Sequence, residues 1–562
     1  MKKKDARVSK RLYMHFGQKH SLSFFNSGIF LFTLFYLLTL LLYFESRHSG
    51  FVTDYIGFEQ NYDHCDYWHY YHCSGGKNFR YLQHAFSYPI YKYIGSDSLI
   101  WYLLYCLAHA LTALVGYKTL IMIFAFWNKA LSKKASFFTA LLFLVSPFHN
   151  EVLVWRVCIQ YMTISICLFL SMRFFLLDIK KNNFKYPVAS ILLFIIGLLS
   201  LEQIIVMPVF IFLLSIFVFI IERQKPVLTR MFSWYFLPQT GLIILYFLMS
   251  KIVYGQWVMH YGSDTFKGFN SISTVSKIYN YFIKYFALVR FYPHEWKSFL
   301  FAYIECPLIT LFLITCTGLG LFYLLKKFIR GNIYSGTLLL MICFYIVSLI
   351  PVLQLYFSVL FYCENDRLGY LSSFFIFGII VLILYKLPIL FRYFLLLILF
   401  TVNLFFAYKM SHLWKRSTEI YTSYLTAFND YPYKQVFLLG TPDNYQGIPM
   451  MRAYPSGLQE ALQYRRKKPY TGKMYDVMQF NQVSKEDGMH VEQLNDSTLK
   501  VSFTHNGSWF WYWGIGAKSY ETPDVKVSVN QWNYIVTFKN FNRANSIILY
   551  PYQSKWMQVK WE

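Results

Sequence analysis

The sequence predicts a mainly α-helical membrane protein, in which a bundle of about eleven transmembrane helices precedes a C-terminal α+β domain rich in β-strands. Composition is the first observation that predicts this class. The chain has 562 residues, of which 56% are hydrophobic, 21% are aromatic and 14% are charged, and its mean hydropathy is +0.35. Soluble globular proteins carry about 25% charged residues. The second observation is that long apolar runs fill the chain up to residue 408 and then stop.

The predicted spans are apolar runs close to the 20 or so residues that cross a bilayer as a helix. They cover residues 27–45, 99–127, 136–148, 157–177, 187–201, 203–221, 232–252, 303–325, 334–357, 368–385 and 389–408. The runs 136–148 and 187–201 are short, and their helices are expected to be tilted, broken or buried within the bundle. We expect three regions: a basic N-terminus (1–22), a transmembrane domain (23–408) and a C-terminal domain (409–562).

Charge predicts the orientation of these spans, because cytoplasmic loops are enriched in Lys and Arg. The basic N-terminus is expected in the cytoplasm, and an odd number of spans then places the C-terminal domain outside it. Predicted inner connections carry Lys129, Lys133, Lys134, Lys180, Lys181, Lys185, Arg223, Lys225, Arg230, Lys326, Lys327, Arg330 and Lys386. The predicted outer loop 253–300 is an exception, since it also carries basic residues. We expect the cytoplasmic (inner) membrane of a bacterium as the location.

The C-terminal domain is predicted from period-two alternation, which is typical of β-strands. We expect an amphipathic helix over 409–430, a strand at 434–439 that ends in a turn at Gly440–Asp443, and strands at 498–504, 525–529 and 532–538. Asn530 and Gln531 are predicted to turn a hairpin between the last two strands.

The net charge of +25 is attributed to cytoplasmic loops and anionic membrane lipids, because the sequence contains no nucleic-acid-binding motif. Cys65 and Cys73 lie in a predicted outer loop, where a disulfide between them would persist. The His residues around them make a metal site conceivable, but their order matches no zinc-ligand spacing. We therefore predict no metal and no other cofactor, and leave a divalent ion open.

Ionisable residues close to membrane depth suggest function by default, and here they gather in the predicted outer loops. The acidic and histidine members are Asp54, Glu59, His149, Glu151, Glu202, Glu364 and Asp366, and the arginines are Arg80, Arg156 and Arg367. The competing interpretation is that loop ends are solvated and charged in any membrane protein.

The order of short motifs supports the functional interpretation. Asp54 is followed by Asn78–Leu82, Ser87–Ile90, Leu107–Leu111 with His109, Pro147–Val152, Leu201–Glu202 and Asp366–Ser372. This order resembles the GT-C superfamily of polytopic membrane glycosyltransferases, and within it the protein O-mannosyltransferase-like branch. Asp54 is followed by Tyr55 where such relatives often have a second acid, so a substitute role for Glu59 or Glu151 stays open.

The resemblance implies an inverting transfer of a sugar from a polyprenyl-phosphate carrier to a protein, lipid or glycan acceptor. Asp54 would then be the single carboxylate base. Arg367, Arg156 and Arg80 would contact the donor phosphate. The residues expected to shape the acceptor side are Glu59, His149, Glu151, Glu202 and Asp366. As alternatives, Arg80 and Arg156 are lipid head-group anchors, and Arg367 is an ion-paired loop residue.

Two other functions compete with this one. An O-antigen-type polymerase or ligase would use a pyrophosphate-linked donor. A polysaccharide or lipid transporter would show repeated halves, interrupted spans and charges buried at mid-membrane.

Overall fold

A computed structural model describes most of the chain. The described residues are 28–49, 62–63, 66, 79–95, 98–223, 225–257, 272–353, 363–429, 431, 435–451, 457–466, 472–504, 510–511, 517–530, 533–539 and 541–560. Asp54, Glu59, Cys65, Cys73 and the basic N-terminus lie outside the described residues.

Helices account for most of the structure. Within the described residues they are α1 (Gly28–Leu42), α2 (Tyr81–Ile94), α3 (Ser98–Trp127), α4 (Lys129–Leu144), α5 (Asn150–Val154), α6 (Ile159–Lys181), α7 (Lys185–Leu198), α8 (Met207–Glu222), α9 (Lys225–Met231), α10 (Leu237–Tyr254), α11 (Ile272–Ala287), α12 (His294–Glu305), α13 (Pro307–Ile329), α14 (Ile333–Leu349), α15 (Tyr370–Leu384), α16 (Ile389–Ala427) and α17 (Gly457–Arg466).

The prediction of a multi-pass helical bundle is confirmed, but its count of eleven spans is not. Eight helical stretches among the described residues are long and apolar enough to cross a membrane, or nine if α4 and the bent segment after it form one span. All eleven predicted runs overlap helices among the described residues. Helix α7 has only 14 residues, and at 1.5 Å per residue it is shorter than the hydrocarbon core of about 30 Å. The described part of α1 has 15 residues and starts where the described chain starts.

Helix α3 lies in the middle of the bundle and packs against α1, α4 and α6. Small residues permit this close packing. A Cβ atom added to Gly116 would lie 2.4 Å from the ring of Phe374 in α15, so the two helices approach each other where Gly116 has no side chain.

The C-terminal domain contains three sheets. Its described strands are β1 (Gln435–Leu438), β2 (Thr441–Tyr445), β3 (Ile448–Pro449), β4 (Lys473–Asp476), β5 (Gln479–Gln482), β6 (Met489–Asn495), β7 (Thr498–Phe503), β8 (Phe510–Trp511), β9 (Tyr520–Glu521), β10 (Val525–Val529), β11 (Asn533–Phe538), β12 (Ser546–Tyr552) and β13 (Lys555–Gln558). The strand orders are β13-β12-β1-β4, β3-β2-β5-β8 and β6-β7-β11-β10-β9.

The predicted hairpin is confirmed, because β10 and β11 pair antiparallel with Val529 opposite Tyr534. The turn predicted at Gly440–Asp443 is wrong. Only a short connection at Leu439 and Gly440 separates β1 from β2. Turn-forming residue types thus enter a strand that pairs parallel with β5.

The separate amphipathic helix predicted over 409–430 does not exist as such. Helix α16 continues without a break from Ile389 to Ala427, so the last span extends directly into the C-terminal domain. Its distal part buries Ile420, Tyr421 and Tyr424 against that domain. Strand β3 also contacts the segment Cys363–Gly369 of the bundle, and the two parts of the chain therefore share packed contacts.

Replacing Gly116 by Ala is expected to destabilise the protein by about 1–3 kcal/mol, because overpacking a close helix contact forces Phe374 to move. The measurement is the thermal unfolding temperature in detergent. Gly318→Ala is the matched control, since nothing lies within 4 Å of its added Cβ and Ala favours a helix over Gly by about 0.5–1 kcal/mol. An unchanged unfolding temperature in Gly116→Ala would contradict the packing described.

Candidate functional site: a buried charge network

A broken helix brings the Pro147–Val154 segment into the bundle interior. Helix α4 ends at Leu144, and Pro147 then begins a short 3-10 turn. Proline disfavours helical geometry in the residue before it, which accounts for a break at Ser146. The following segment, Pro147–Val154, is bent by 56° from α4. As a result His149, Asn150 and Glu151 are fully buried.

Glu151 is held by Arg367 from the 3-10 segment Cys363–Gly369. The backbone N–H of Arg367 donates to Glu151 Oε2 over 2.6 Å, and its guanidinium Nη1 donates to Oε1. The same guanidinium lies over the ring of Trp155, 4.8 Å from its centre. Because the carboxylate is enclosed, the paired arginine is what makes its burial tolerable.

Asp366, the neighbour of Arg367, binds two further cations. Its Oδ1 accepts from Arg290 Nη2 over 2.7 Å and also contacts Lys284 Nζ. Oδ2 of Asp366 is buried and has no hydrogen-bond partner among the described residues. Lys284 lies in α11, where burial lowers its pKa and Asp366 opposes that shift. The network therefore combines three cations with two carboxylates in the described part of the chain.

Two histidines lie beside this network. His149 Nε2 is 2.9 Å from Ser373 Oγ, and His109 Nδ1 is 2.7 Å from the Tyr370 hydroxyl. The His149 side chain does not cap helix α5. His109 joins α3 to α15 by its hydrogen bond, as expected for a histidine within a span.

Glu202 forms a second, smaller ion pair. Arg80 donates to Glu202 Oε2 through Nη2 at 3.0 Å and Nε at 3.2 Å. The next residue, Gln203, donates to the carbonyl of Ser348 over 3.1 Å and lies 3.5 Å from that of Leu368. These bonds fasten the Glu202 segment to the segment that holds Asp366 and Arg367.

Arg156 occupies a third position. It is 2% exposed, and its guanidinium lies 5.3 Å from the ring centre of Trp101. This burial does not fit the alternative of a lipid head-group anchor. Arg156 lines a narrow hollow with Tyr43, Ser46, Ser49, Trp101, Tyr102, Tyr105, Leu153 and Val154. Ser49 is the last described residue before Asp54.

Comparison with models of known protein families and with curated proteins gives no match to this chain. The site must therefore be interpreted from its own residues.

The structure brings together several residues that the sequence singled out. Glu151 meets Arg367, Glu202 meets Arg80, and Asp366 adjoins the first pair, while Arg156 lies apart from both. Arg367 is an ion-paired residue, as the alternative interpretation expected, and Glu151 is a partner.

The sequence patterns did not single out Lys284 and Arg290 as members of the network. A signal for them was present, because both belong to the loop 253–300 that departs from the predicted charge pattern. Within the described residues, His, Cys, Asp and Glu side chains form no group of three able to hold a metal.

Breaking the central pair is expected to be costly. Glu151→Gln or Arg367→Gln alone should destabilise the protein by about 3–5 kcal/mol, because each leaves one buried charge without its partner. The double variant should lose clearly less than the sum of the two. Thermal unfolding of the three variants measures this coupling. Lys415→Met is the control, since its pair with Glu45 is partly exposed and such pairs contribute about 0–1 kcal/mol. Strict additivity would refute the coupling.

Proposed function

We propose that the chain is an integral membrane glycosyltransferase that moves a sugar from a polyprenyl-phosphate carrier to a protein, lipid or glycan acceptor on the extracytoplasmic side. The observation that carries this proposal is the buried charge network. Its residues come from three separate segments, Pro147–Val154, Lys284–Arg290 and Cys363–Gly369. Burying this many charges costs free energy, and apolar side chains would hold a purely structural bundle together without that cost.

Asp54 is the proposed base. The acceptor hydroxyl oxygen attacks the anomeric carbon from the face opposite the lipid phosphate, and the bond between that carbon and the phosphate oxygen breaks. Asp54 takes the hydroxyl proton, and the polyprenyl phosphate leaves as an anion. A second carboxylic acid is not needed to protonate such a leaving group, in contrast to most glycosidases.

Arg156 is the proposed phosphate contact, because it lines the hollow at Ser49, the last described residue before Asp54. The guanidinium of Arg367 bonds Glu151. Asp54 follows Ser49 by five residues, and an extended chain spans at most about 3.3–3.6 Å per residue. Chain length thus limits the distance between the Cα atoms of Ser49 and Asp54 to about 18 Å. This limit is compatible with Asp54 as base and Arg156 as phosphate contact in one site. Arg80 would support the site through Glu202.

One observation favours a transporter as the second candidate. The 56° break between α4 and Pro147–Val154, with Glu151 buried in it, resembles the interrupted helices around transporter sites. A polymerase or ligase that uses a pyrophosphate-linked donor is the third. Mass spectrometry of the consumed carrier lipid separates the two enzymes, and consumption of no carrier favours transport.

Asp54→Asn is expected to lower sugar transfer by about 10²–10⁴-fold, because the amide cannot accept the acceptor proton. Transfer is measured in proteoliposomes with a radiolabelled polyprenyl-phosphate sugar. Asp66→Asn, in the same predicted outer loop, serves as the control and should retain activity. Near-normal transfer by Asp54→Asn, at equal membrane insertion, would rule out this base.

Arg156→Lys is expected to lower transfer by about 10²-fold, since Lys cannot reproduce the two-pronged contact of Arg with a phosphate. Unfolding temperatures of both proteins must be compared, so that a loss of fold is not mistaken for a loss of phosphate binding. Equal transfer by wild type and variant would remove Arg156 from the site.

A further inference from the structure

One sheet of the C-terminal domain is buried although its residues are polar. Every residue of β2 (Thr-Pro-Asp-Asn-Tyr) and of β5 (Gln-Phe-Asn-Gln) is buried. Fully buried strands are usually rich in Val, Ile and Leu, and β12 in the neighbouring sheet follows that rule with Ile547, Ile548 and Leu549. The polar residues of β2 and β5 therefore need another explanation.

Strand register places most of these polar side chains on one face. Thr441 pairs with Gln479 and Asn444 pairs with Asn481, and paired residues of neighbouring strands point the same way. Gln479 and Asn481 are two residues apart, so they share this face. Phe480 points to the opposite face, where it packs in an apolar cluster.

Two carboxylates are tied to this polar face. Asp443 Oδ2 accepts from the Asn444 side chain over 2.8 Å, and Asp476 Oδ1 accepts from the Thr441 hydroxyl over 2.7 Å. Asp443 is 1% exposed. Burial raises the pKa of Asp443 to about 7 and that of Asp476 to about 6, so burial as such disfavours both charges.

The amide oxygens on this face lack donors. Gln479 Oε1 and Asn481 Oδ1 are buried without a hydrogen-bond partner among the described residues, although their side chains are only 5% and 2% exposed. Buried polar atoms are almost always satisfied, and an unmet one costs about 1–3 kcal/mol. Acceptors without donors, next to carboxylates, are what a hard cation requires.

We propose that the Asp443 carboxylate, Gln479 Oε1 and Asn481 Oδ1 form a binding site for Ca²⁺, with Asp476 as the nearby second negative charge. Calcium takes six to eight oxygen ligands, including carboxylate and amide oxygens, and water completes the shell. Mg²⁺ fits less well, because it demands near-ideal octahedral geometry, whereas the coordination geometry of Ca²⁺ is flexible. A sugar would satisfy the same acceptors with its hydroxyl groups but is too large for side chains this deeply buried.

Strand β5 offers a matched pair of variants. Gln479 and Gln482 are both buried glutamines with an unpartnered Oε1 in the described structure. They lie on opposite faces of the same strand, since they are three positions apart. Gln479→Met should remove a ligand, whereas Gln482→Met makes the same chemical change outside the site.

The experiment uses the full-length protein in detergent, freed of ions with a chelator and titrated with CaCl₂ up to about 10 mM, since the weakest natural calcium sites bind near 10⁻³ M. Thermal unfolding and calorimetry measure binding. CaCl₂ should raise the unfolding temperature of the wild type and of Gln482→Met, and MgCl₂ should raise it less. Gln479→Met should bind at least about ten-fold more weakly. Asn481→Leu gives the same test if Gln479→Met does not fold.

Three results would overturn the proposal. The first is a wild type that CaCl₂ does not stabilise. The second is an equal loss of binding in Gln479→Met and Gln482→Met. The third is stabilisation by mono- or oligosaccharides without any response to CaCl₂, which would assign the face to a polyhydroxylated ligand. All three concern binding and leave the proposed glycosyl transfer untouched.

Discussion

The free-energy cost of an unpaired charge inside a helical bundle is the constraint on which the rest of the candidate site depends. Glu151 tolerates full burial because Arg367 binds it through both its backbone N–H and its guanidinium. Since a buried pair that loses one partner costs about 3–5 kcal/mol, Pro147–Val154 and Cys363–Gly369 must stay together. Asp366 adds Lys284 and Arg290 to the same contact. One electrostatic requirement thus fixes three segments that are far apart in sequence.

The C-terminal domain is connected to the bundle through a continuous helix and through packing contacts. Helix α16 enters the domain without a break. Strand β3 contacts Cys363–Gly369, and Ile448 belongs to the same apolar cluster as the bundle core. A change in the domain is therefore positioned to reach Asp366 and Arg367. The domain that carries the proposed calcium site is thus in contact with a segment of the charge network. The two proposals rest on different residues.

Prediction from the sequence succeeded where local composition decides structure and failed where partners decide it. Each predicted apolar run overlaps a helix, because a chain segment in lipid must satisfy its backbone hydrogen bonds internally. The β10–β11 hairpin followed from alternation around Asn530. Gly440–Asp443 misled, because Thr, Pro and Asp favour turns unless a parallel partner such as β5 takes up their backbone groups. The extent of α16 was underestimated, since a change from apolar to amphipathic composition does not end a helix.

The sequence by itself determined that this is a multi-pass helical membrane protein with a β-rich C-terminal domain, and that its acidic and histidine residues gather in particular loops. Those properties follow from composition and periodicity, which are local. Only the tertiary structure decided that Arg367 forms an ion pair with Glu151, and that Lys284 and Arg290 form ion pairs with Asp366. It also decided that Gln479 and Asn481 share one face of a sheet with two carboxylates beside it. Ion pairing and hydrogen bonding between distant segments depend on distances of a few ångströms, and no local pattern in the chain encodes them.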